Sequence, residues 1–587
     1  MKRLIILALA LTTGLTACED WLDKKPLDKI SQYDYFKDAT ALELFSNPFY
    51  NNLLAKEPFK EQSDQLVQYN LSNEMIGGNK RTVPSTGGGW TWTDLRRMNT
   101  LLAMAAEYCE DQAAVTKYSA ITRFFRAFFY FDKLKRFGDV PWYDKVIGSE
   151  EEDLLKKPRE DRGIIMDHVM SDLDNAIAML PRDKEVARVT RWSALALKSR
   201  AALYEGTWRK YRNLPDAEKY LEQAADAAAT FIAESSYSIY KEGTDPSRAL
   251  FCSDNAKSSE VILARLYNFE GLNLAHSLQF NIRNGAQGFT RRFMNHYLMA
   301  DGSRFTEKQG YETMFYTEET EGRDPRMVQT VLCPGYVAKG ESSATPNDMT
   351  AMTGYEPIKF VSTAAHSGAS KGTSDWALFR TAEVYLNYAE AKAELGTLTQ
   401  DDLTISIDKI RDRIGMDGLD MAAANADPDP FLLACYPNVT KSANTGVILE
   451  IRRERTVEMV MEGQRMWDMF RWKEGAQMVN ETTPYYGIYF PGPGLYDMDG
   501  DGRNDLELYA TQQTSVPADG LTVLKIGSDI VLSDAANNRG YVVAWSALKY
   551  TWTEERDYLW PIPADQRVLT GGLLTQNPGW TDSTNFD

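Results

Sequence analysis

The chain has 587 residues and a formal net charge of −18 at pH 7, with 65 basic and 83 acidic side chains. This balance argues against a nucleic-acid partner and against docking on anionic lipid, because phosphates attract a basic surface. Hydrophobic residues make up 43% and charged residues 25%, which is ordinary globular composition, and the length is enough for roughly two to four domains.

The first 17 residues have the three-part layout of a secretory signal. Residues 2–3 are basic, and residues 4–11 form an apolar run that is far shorter than the ~20 residues needed to span a bilayer. Small residues then precede Cys18, a pattern typical of a bacterial lipobox, whose Cys is acylated and becomes the mature N-terminus. We therefore predict a signal peptide over 1–17 and a lipid anchor on Cys18. The alternative is an ordinary signal peptide followed by a chance Cys.

Consecutive amphipathic helices are predicted between about residues 100 and 235, because apolar residues recur there at steps of three and four. Their lengths of about 16–18 residues and their short links indicate antiparallel helix pairs. The predicted helices begin near Leu101, cover Ile121–Leu134 up to Gly138, cover Ile165–Leu180 before Pro181, run from an N-cap at Thr190 to Gly206, and run from Pro215 to Phe231.

A second helical block follows after residue 375. Its predicted helices cover 382–396, 403–414 and 447–472, and the first of them resembles a degenerate tetratricopeptide repeat. The segments 235–375 and 480–587 are irregular and rich in turn residues. The expected fold is therefore mainly α, a tetratricopeptide-like scaffold of helical pairs carrying large irregular loops, which is where binding residues usually lie.

Charged residues and cysteines in these segments have a structural interpretation. Charges at steps of three and four indicate salt bridges; they are Arg123, Arg126, Arg452, Arg453, Glu454, Arg455 and Glu458. Four cysteines remain beyond Cys18, with no CxxC spacing, and we expect buried thiols while a disulfide stays open. These are Cys109, Cys252, Cys333 and Cys435.

One segment has the pattern of a metal-binding loop. Asp497, Asp499, Asp501 and Asp505 alternate around a glycine turn in DMDGDGRND. Closely spaced carboxylates supply the hard oxygen ligands that calcium prefers. An EF-hand would need Glu at position 508, which is Leu508, so the pattern is closer to an extracellular DxDxDGxxD loop. We expect a structural calcium here, and the alternative is a solvated acidic turn.

Motifs in a fixed order then point to a family. They are WLDKKP (21–26), TRFFRAFFYFDKLKRFGDVPW (122–142), RVTRWSALALKSRAALYEG (188–206), DGSRF (301–305), GRDPRM (322–327), FRTAEVYLNYAEA (379–391), ILEIRRERTVEMVMEGQRMWDMFRW (448–472), YLWPIP (558–563) and NPGW (577–580). Together they resemble the SusD/RagB outer-membrane lipoproteins of the Bacteroidetes over nearly the whole mature chain.

The resemblance implies a role and a layout. Members of this family bind oligosaccharides, or in some cases peptides, and deliver them to a SusC-like TonB-dependent transporter in the outer membrane, without catalysis. The layout would be an N-terminal helical region over 18–235, a loop-rich ligand-binding region over 236–375 and a C-terminal region over 376–587. The acidic residues after Cys18 resemble the signal that sends such lipoproteins to the outer face.

The candidate ligand contacts are aromatic, because flat rings stack on the C–H faces of sugars. Trp90 and Trp92 follow a triple glycine in a loop that often lies near the sugar site in the family; alternatively, both seat the start of the next helix. Phe289, Tyr336 and Trp376 are further candidates in the irregular region.

Two other functions compete with nutrient capture. An all-α glycoside hydrolase would need two carboxylates about 5–9 Å apart across a cleft, and no recognisable motif places them. A surface adhesin would bind glycan without transport. The sequence contains no Ser nucleophile elbow, zinc HExxH or phosphate loop.

Overall fold

The computed structural model describes residues 32–55, 63–148, 150–478, 485–513, 520–548, 550–584 and 586. The predicted signal peptide, Cys18 and the opening motif 21–26 lie outside the described residues. In the part that is described, no helix combines the length and the apolar character needed to cross a membrane.

Eight helices of 14 residues or more form the scaffold of the described chain. They are α1 (Ala39–Leu53), α2 (Thr93–Tyr108), α3 (Gln112–Phe137), α4 (Arg162–Met179), α5 (Arg191–Lys210), α6 (Ala217–Glu234), α7 (Thr381–Leu395) and α8 (Thr445–Glu458). Shorter α-helices cover Gln32–Phe36, Asn73–Ile76, Glu152–Leu155, Pro246–Ala249, Phe269–Leu272, Leu278–Asn284, Arg291–Met294, Tyr316–Glu319, Met327–Thr330, Gln400–Thr404, Ile407–Asp412, Met421–Ala426, Pro430–Cys435, Arg465–Arg471, Gly475–Met478 and Ala564–Leu569. The expected mainly α scaffold is confirmed.

Helix α5 corrects one predicted boundary. We expected it to end at Gly206, but it continues to Lys210. Gly206 is buried against α6, where an added Cβ would lie 2.7 Å from Leu221 Cγ and 2.9 Å from the Leu221 backbone nitrogen. The glycine therefore serves the close approach of two helices rather than a helix end.

The second helical block is more broken than its periodicity indicated. The segment 447–472, expected as one helix, is α8 followed by the separate helix Arg465–Arg471. Between them Met461 and Gly463 have positive φ angles of 61° and 72°, which an α-helix does not tolerate. The segment 403–414 likewise forms two short helices instead of one.

Small sheets join distant parts of the described chain. The two-stranded sheets pair β1 (Leu66–Val67) with β3 (Gly288–Phe289), and β2 (Val261–Arg265) with β4 (Trp376–Arg380). The three-stranded sheets have the orders β5 (Tyr486–Phe490), β10 (Arg539–Val543), β9 (Leu532–Asp534) and β6 (Gly494–Tyr496), β7 (Leu506–Tyr509), β8 (Thr522–Lys525).

Two clusters of buried apolar side chains make up the core. The larger one lies among the long helices and includes Phe124, Leu203 and Phe231. The second joins the irregular middle region to the strands between 486 and 543, and includes Phe293 and Ile488. The loops carried by the scaffold therefore have a core of their own. The domain boundaries at 235 and 375 stay predictions.

The charged helix residues are paired, but mostly not within one helix. Arg126 binds Asp172 at 2.6 Å, and Arg455 binds Asp468 at 2.8 Å. The pair Arg453–Glu450, at 2.9 Å, has the expected spacing of three. The four cysteines are free thiols; Cys109, Cys333 and Cys435 are buried, and Cys252 is partly exposed.

Candidate ligand-binding site

A cavity of about 400 Å³ lies where the second core meets the helical scaffold. Its walls come from the helix Arg291–Met294, residues 311–312, the helix Pro430–Cys435, residues 477–478 and the paired strands β5 and β10. Its aromatic lining residues are Tyr311, Phe431, Tyr485, Tyr486 and Tyr541. Five rings around one concave space are characteristic of a site for a ligand with flat apolar faces.

The ring positions follow from a bulge in β5. Tyr541 is paired with Tyr489, and Val543 is paired with Tyr486. Two residues of β10 therefore face three residues of β5, so β5 contains one extra residue. A bulge of this kind turns a side chain to the other face of a strand. The rings of Tyr486 and Tyr489 therefore both reach Tyr541, with centroids 5.0 and 5.6 Å away.

Gly487 lies within this bulge and packs closely on residue 353. An added Cβ at this position would lie 1.9 Å from the Thr353 carbonyl oxygen. The strand can therefore approach residue 353 only with glycine here. On the opposite strand the Tyr541 hydroxyl donates to the Glu312 carbonyl at 2.7 Å, which fixes that ring at the edge of the cavity.

Arginines supply the polar part of the cavity wall. The Arg291 guanidinium pairs with Glu319 at 2.7 Å and lies 4.9 Å from the Tyr541 ring centroid. Arg292 donates to two main-chain carbonyls, those of Gln477 at 2.5 Å and Cys435 at 3.1 Å. Their carbonyl and carboxylate partners hold both guanidiniums in place.

An ion pair and an amide complete the wall. Asp64 binds Arg465 through two hydrogen bonds of 2.8 and 2.6 Å. Burial opposes the charge on Asp64, but Arg465 and then Arg292 outweigh it and lower the pKa of this carboxyl. The Oδ1 atom of Asn295 is buried and has no hydrogen-bond partner among the described residues. An unsatisfied acceptor beside an open cavity is suited to a hydroxyl of a ligand.

A second, larger cleft of about 910 Å³ contains Trp90 and Trp92. It lies between the amino end of α2, residues 141–157 and the helix Ala564–Leu569 with the turn that follows. Trp90 is only 6% exposed and packs on Phe137 at 4.9 Å, while Trp92 is half-buried and packs on Tyr143 at 5.8 Å. Both rings thus seat the start of α2 and also border the cleft. Their contact with a ligand stays a prediction.

The other three aromatic candidates lie outside both cavities. Phe289 is fully buried in strand β3, and Trp376 is 4% exposed with its ring 5.7 Å from Phe360, so neither has an open face to stack on a sugar. Tyr336 is half-buried, and its hydroxyl accepts from Arg248 at 2.8 Å. The burial of Phe289 and Trp376 does not support their predicted role, whereas the loop around Phe289 does lead into the cavity through Arg291.

The acidic loop brings three of its four predicted ligands together. One oxygen of each of Asp497, Asp499 and Asp501 lies within 4.8 Å of the others, whereas Asp505 Oδ2 accepts from the Met498 N–H at 2.7 Å. Burial raises the pKa of Asp499, and the neighbouring carboxylates raise it further. A cation would relieve this repulsion, and the all-oxygen donor set fits calcium. Calcium binding stays a proposal.

None of the residues that line the smaller cavity was a candidate from the sequence, although the candidate Phe289 lies two residues before Arg291. The rings come from segments around 311, 431, 486 and 541, separated by more than 50 residues each time. No local motif connects them. The adjacent pair Tyr485–Tyr486 in an irregular segment was the one available signal, and without the strand pairing it does not indicate a site.

A helical-pair scaffold that carries an aromatic cavity on its loops has the architecture of a ligand-binding protein. The particular family follows from comparison with known proteins. A family model described as the SusD family matches residues 279–580, just over half of the chain. This chain belongs to the SusD family.

Relatives of known sequence and structure agree. The SusD-like proteins P25 and P2 of Formosa agariphila are 22% and 24% identical over 232 and 241 residues, which are 35% and 38% of this chain. These matches span 44% and 46% of the relatives, less than half of their length. A SusD-like protein from Bacteroides fragilis is 21% identical with a TM-score of 0.68, over 95% of this chain and all of its own. A SusD-like carbohydrate binding protein from the same species is 19% identical with a TM-score of 0.64, over 91% and 99%. The structural matches confirm the tetratricopeptide-like fold.

Proposed function

We propose that this chain captures oligosaccharides, or another nutrient such as a peptide, at the cell surface and passes them to a SusC-like TonB-dependent transporter. The observation that carries the proposal is the five-ring cavity with its guanidinium donors and its amide acceptor. The family membership supports it, and one structural neighbour is described as a carbohydrate binding protein.

The cavity can bind a sugar without chemical reaction. The ring of Tyr541 packs against those of Tyr486 and Tyr489, so this part of the aromatic wall is rigid and can contact a ligand at little entropic cost. Asn295 and Arg292 supply an acceptor and donors for hydroxyl groups. Rigid stacking faces combined with a few fixed polar groups provide orientation and specificity.

A glycan array with a peptide control tests the capture step. We expect Tyr541→Ala to weaken binding of the captured ligand at least tenfold, which is about 1.4 kcal/mol. Tyr35→Ala, which changes an exposed tyrosine on the short helix before α1, is the matched control and should leave binding unchanged. Unaltered binding by a folded Tyr541→Ala variant would move the site elsewhere, with the Trp90–Trp92 cleft as the next candidate.

Delivery requires a surface for the transporter, and we assign it to an exposed apolar patch beside the larger cleft. Its side chains are 37–64% exposed; they are Leu154, Leu155, Val568, Leu569, Leu573 and Phe586. A patch of exposed apolar side chains rimmed by charge is typical of an interaction surface. Acidic residues 150–153 and the lysines 156–157 adjoin it, and Glu151 and Glu152 are paired with Lys145 and Lys156. A rim of mixed charge gives an anionic lipid surface little net attraction and suits a protein partner.

Purification of the chain from membranes tests this surface. We expect wild-type protein to co-purify with a TonB-dependent transporter, and Leu569→Asp to lose that partner while still binding glycan. Val328→Asp, at a 49% exposed valine outside the patch, is the control. Co-purification that survives Leu569→Asp would remove the patch from the proposal.

Two alternatives predict different results. A glycoside hydrolase would release reducing ends from the polysaccharide whose fragments it binds. An adhesin would bind glycan but would not co-purify with a transporter. The structural neighbour described as carbohydrate binding favours binding without catalysis. Incubating the pure protein with its bound polysaccharide and measuring reducing ends separates the first alternative from our proposal.

A further inference from the structure

The cavity wall contains a guanidinium whose charge is not matched by an acid. Both hydrogen bonds of Arg292 go to main-chain carbonyls, and in the described part of the chain it forms no ion pair with a carboxylate. Since a guanidinium has five N–H donors, two bonds leave three donors for another partner. The side chain is half-buried and lines the cavity.

The other charges near this wall interact with Arg292 only at a distance, without a hydrogen bond to it: Arg292 helps to lower the pKa of Asp64 and opposes the rise in the pKa of Glu474. Asp64 is paired with Arg465 at 2.6 Å, and Glu319 is paired with Arg291 at 2.7 Å. Each of these carboxylates therefore already has a cation of its own. The remaining lining carboxylate, Glu312, is exposed at the mouth of the cavity, where water screens it.

A further guanidinium lies behind Arg291. Arg323 donates to the carbonyls of Glu319, Met294 and Tyr297 at 2.7–2.8 Å, and it too forms no ion pair among the described residues. Burial lowers the pKa of Arg323 to about 10, so it remains charged at neutral pH. Four guanidiniums thus lie near this wall with three buried carboxyls, those of Asp64, Glu319 and Glu474, and burial raises the pKa of Glu474 to about 7, so that it carries only part of a charge at neutral pH.

This excess of positive charge is local, because the whole chain carries a net charge of −18. Inside a concave site with low-dielectric walls, the field of a fixed charge is stronger than on an open surface. A fixed positive charge in this wall would therefore act more strongly on a bound group than the same charge on the open surface.

We propose that the cavity selects acidic glycans, with a carboxylate or sulfate group of the sugar bound by Arg292 and the adjacent ring stacked on a tyrosine. This inference rests on the proposed function. The planar guanidinium suits both anions because it can donate to two of their oxygens together. The unpaired Oδ1 of Asn295 on the same wall would accept from a neighbouring hydroxyl.

Calorimetric titration with matched probes tests the inference. One pair is tetragalacturonate and its methyl ester, and the other is a sulfated galactan tetrasaccharide and its desulfated form. We expect the charged member of one pair to bind at least tenfold more tightly in 50 mM NaCl, with the ratio falling in 500 mM NaCl because salt screens charge. The pair that shows the ratio identifies the anion.

The outcomes separate the inference from the proposed function. Equal binding of charged and neutral members, or binding of neutral array glycans alone, would overturn the selection of acidic glycans and leave capture intact. Absence of binding to every glycan, charged or neutral, would overturn capture itself and the inference with it.

Substitutions of Arg292 test whether this side chain causes the preference for charged glycans. Arg292→Gln should abolish the tenfold preference, Arg292→Lys should retain part of it, and Arg182→Gln, at an exposed arginine paired with Glu234, should leave it unchanged. A preference that persists in folded Arg292→Gln protein would overturn the role of this residue. If that variant does not fold, the salt and ester comparisons on the wild-type protein still decide the selection.

Discussion

Arg380 Nη1 lies 2.7 Å from Glu458 Oε1, and both side chains are buried at the junction of the two helical blocks. Arg380 stands at the N-cap of α7, and Glu458 is the last residue of α8. The same guanidinium binds Glu462 at 2.7 Å and Glu260 at 3.0 Å. Arg413 in turn binds both Glu260 and Glu458, at 2.8 and 2.9 Å. Residues from four segments are thereby held around one buried charge cluster.

Removal of the central cation should be severely destabilising. Arg380→Met leaves three buried carboxylates with fewer partners, and breaking a buried pair in this way costs about 3–5 kcal/mol. Urea unfolding followed by circular dichroism measures it. Arg539→Met breaks the exposed pair with Asp534 and should cost less than about 1 kcal/mol. Equal effects of the two substitutions would contradict a structural role for the buried cluster.

One buried carboxyl should make the protein less stable as the pH rises. Burial raises the pKa of Glu474 from 4.5 to about 7, against the opposing effects of Arg452 and Asn438. Between these two pH values the folded state therefore holds a proton that the unfolded state has lost. Its contribution to the free energy of unfolding is full below pH 4.5 and declines up to about pH 7.

The variant Glu474→Gln tests this by removing the titration. We expect its free energy of unfolding, relative to wild type, to improve by about 1–3 kcal/mol between pH 4.5 and pH 8, since one pKa unit corresponds to about 1.4 kcal/mol. Glu555→Gln, at an exposed glutamate, serves as the control. A constant difference from wild type across this pH range would show that Glu474 does not titrate there.

The acidic loop should make stability depend on calcium. Calcium bound at Asp497, Asp499 and Asp501 would stabilise the folded state by about 2.7 kcal/mol at a hundredfold excess over its Kd. We expect chelation to lower the Tm of wild type and not of Asp499→Asn. Magnesium added after chelation should not restore the Tm, because it fits larger oxygen sites poorly. An unchanged wild-type Tm on chelation would favour the solvated acidic turn.

The bulge glycine should couple stability to ligand binding. Gly487→Ala introduces a Cβ 1.9 Å from the Thr353 carbonyl, and overpacking of this kind costs about 1–3 kcal/mol. Because the bulge aims Tyr486 at Tyr541, we also expect weaker glycan binding in titrations. Gly148→Ala, where the nearest atom would be 3.7 Å away, should change neither property. Full affinity in Gly487→Ala protein would show that the bulge does not control the ring position.

The proposed lipid anchor is tested by fractionation. Cys18→Ala removes the thiol that would carry the acyl chains, and more than one chain is needed for stable anchoring. We expect the wild-type protein in the outer-membrane fraction and the variant in soluble fractions. Cys109→Ala, which alters a buried thiol, is the control for loss of any cysteine. Membrane retention of Cys18→Ala protein at the wild-type level would contradict the anchor.

The helical scaffold could be predicted because helix formation and burial produce local periodic patterns in the sequence. The apolar stripe in α3 is one such pattern, and Gly396 at the end of α7, with a φ of 76°, is another. The order of the motifs indicated the family. The end of α5 was nevertheless predicted wrongly at Gly206. The sequence alone does not distinguish a glycine that allows a neighbouring helix to pack closely from a glycine that ends a helix.

The candidate cavity was decided by the tertiary structure alone. Tyr311, Phe431, Tyr486 and Tyr541 meet because strand pairing and a bulge bring distant segments together, and no local pattern encodes that pairing. The same packing buries Phe289 and Trp376, which were candidates as aromatic residues in the irregular region. Residue type determines which contacts a side chain can make, whereas only the packing of the whole chain determines which face it leaves open.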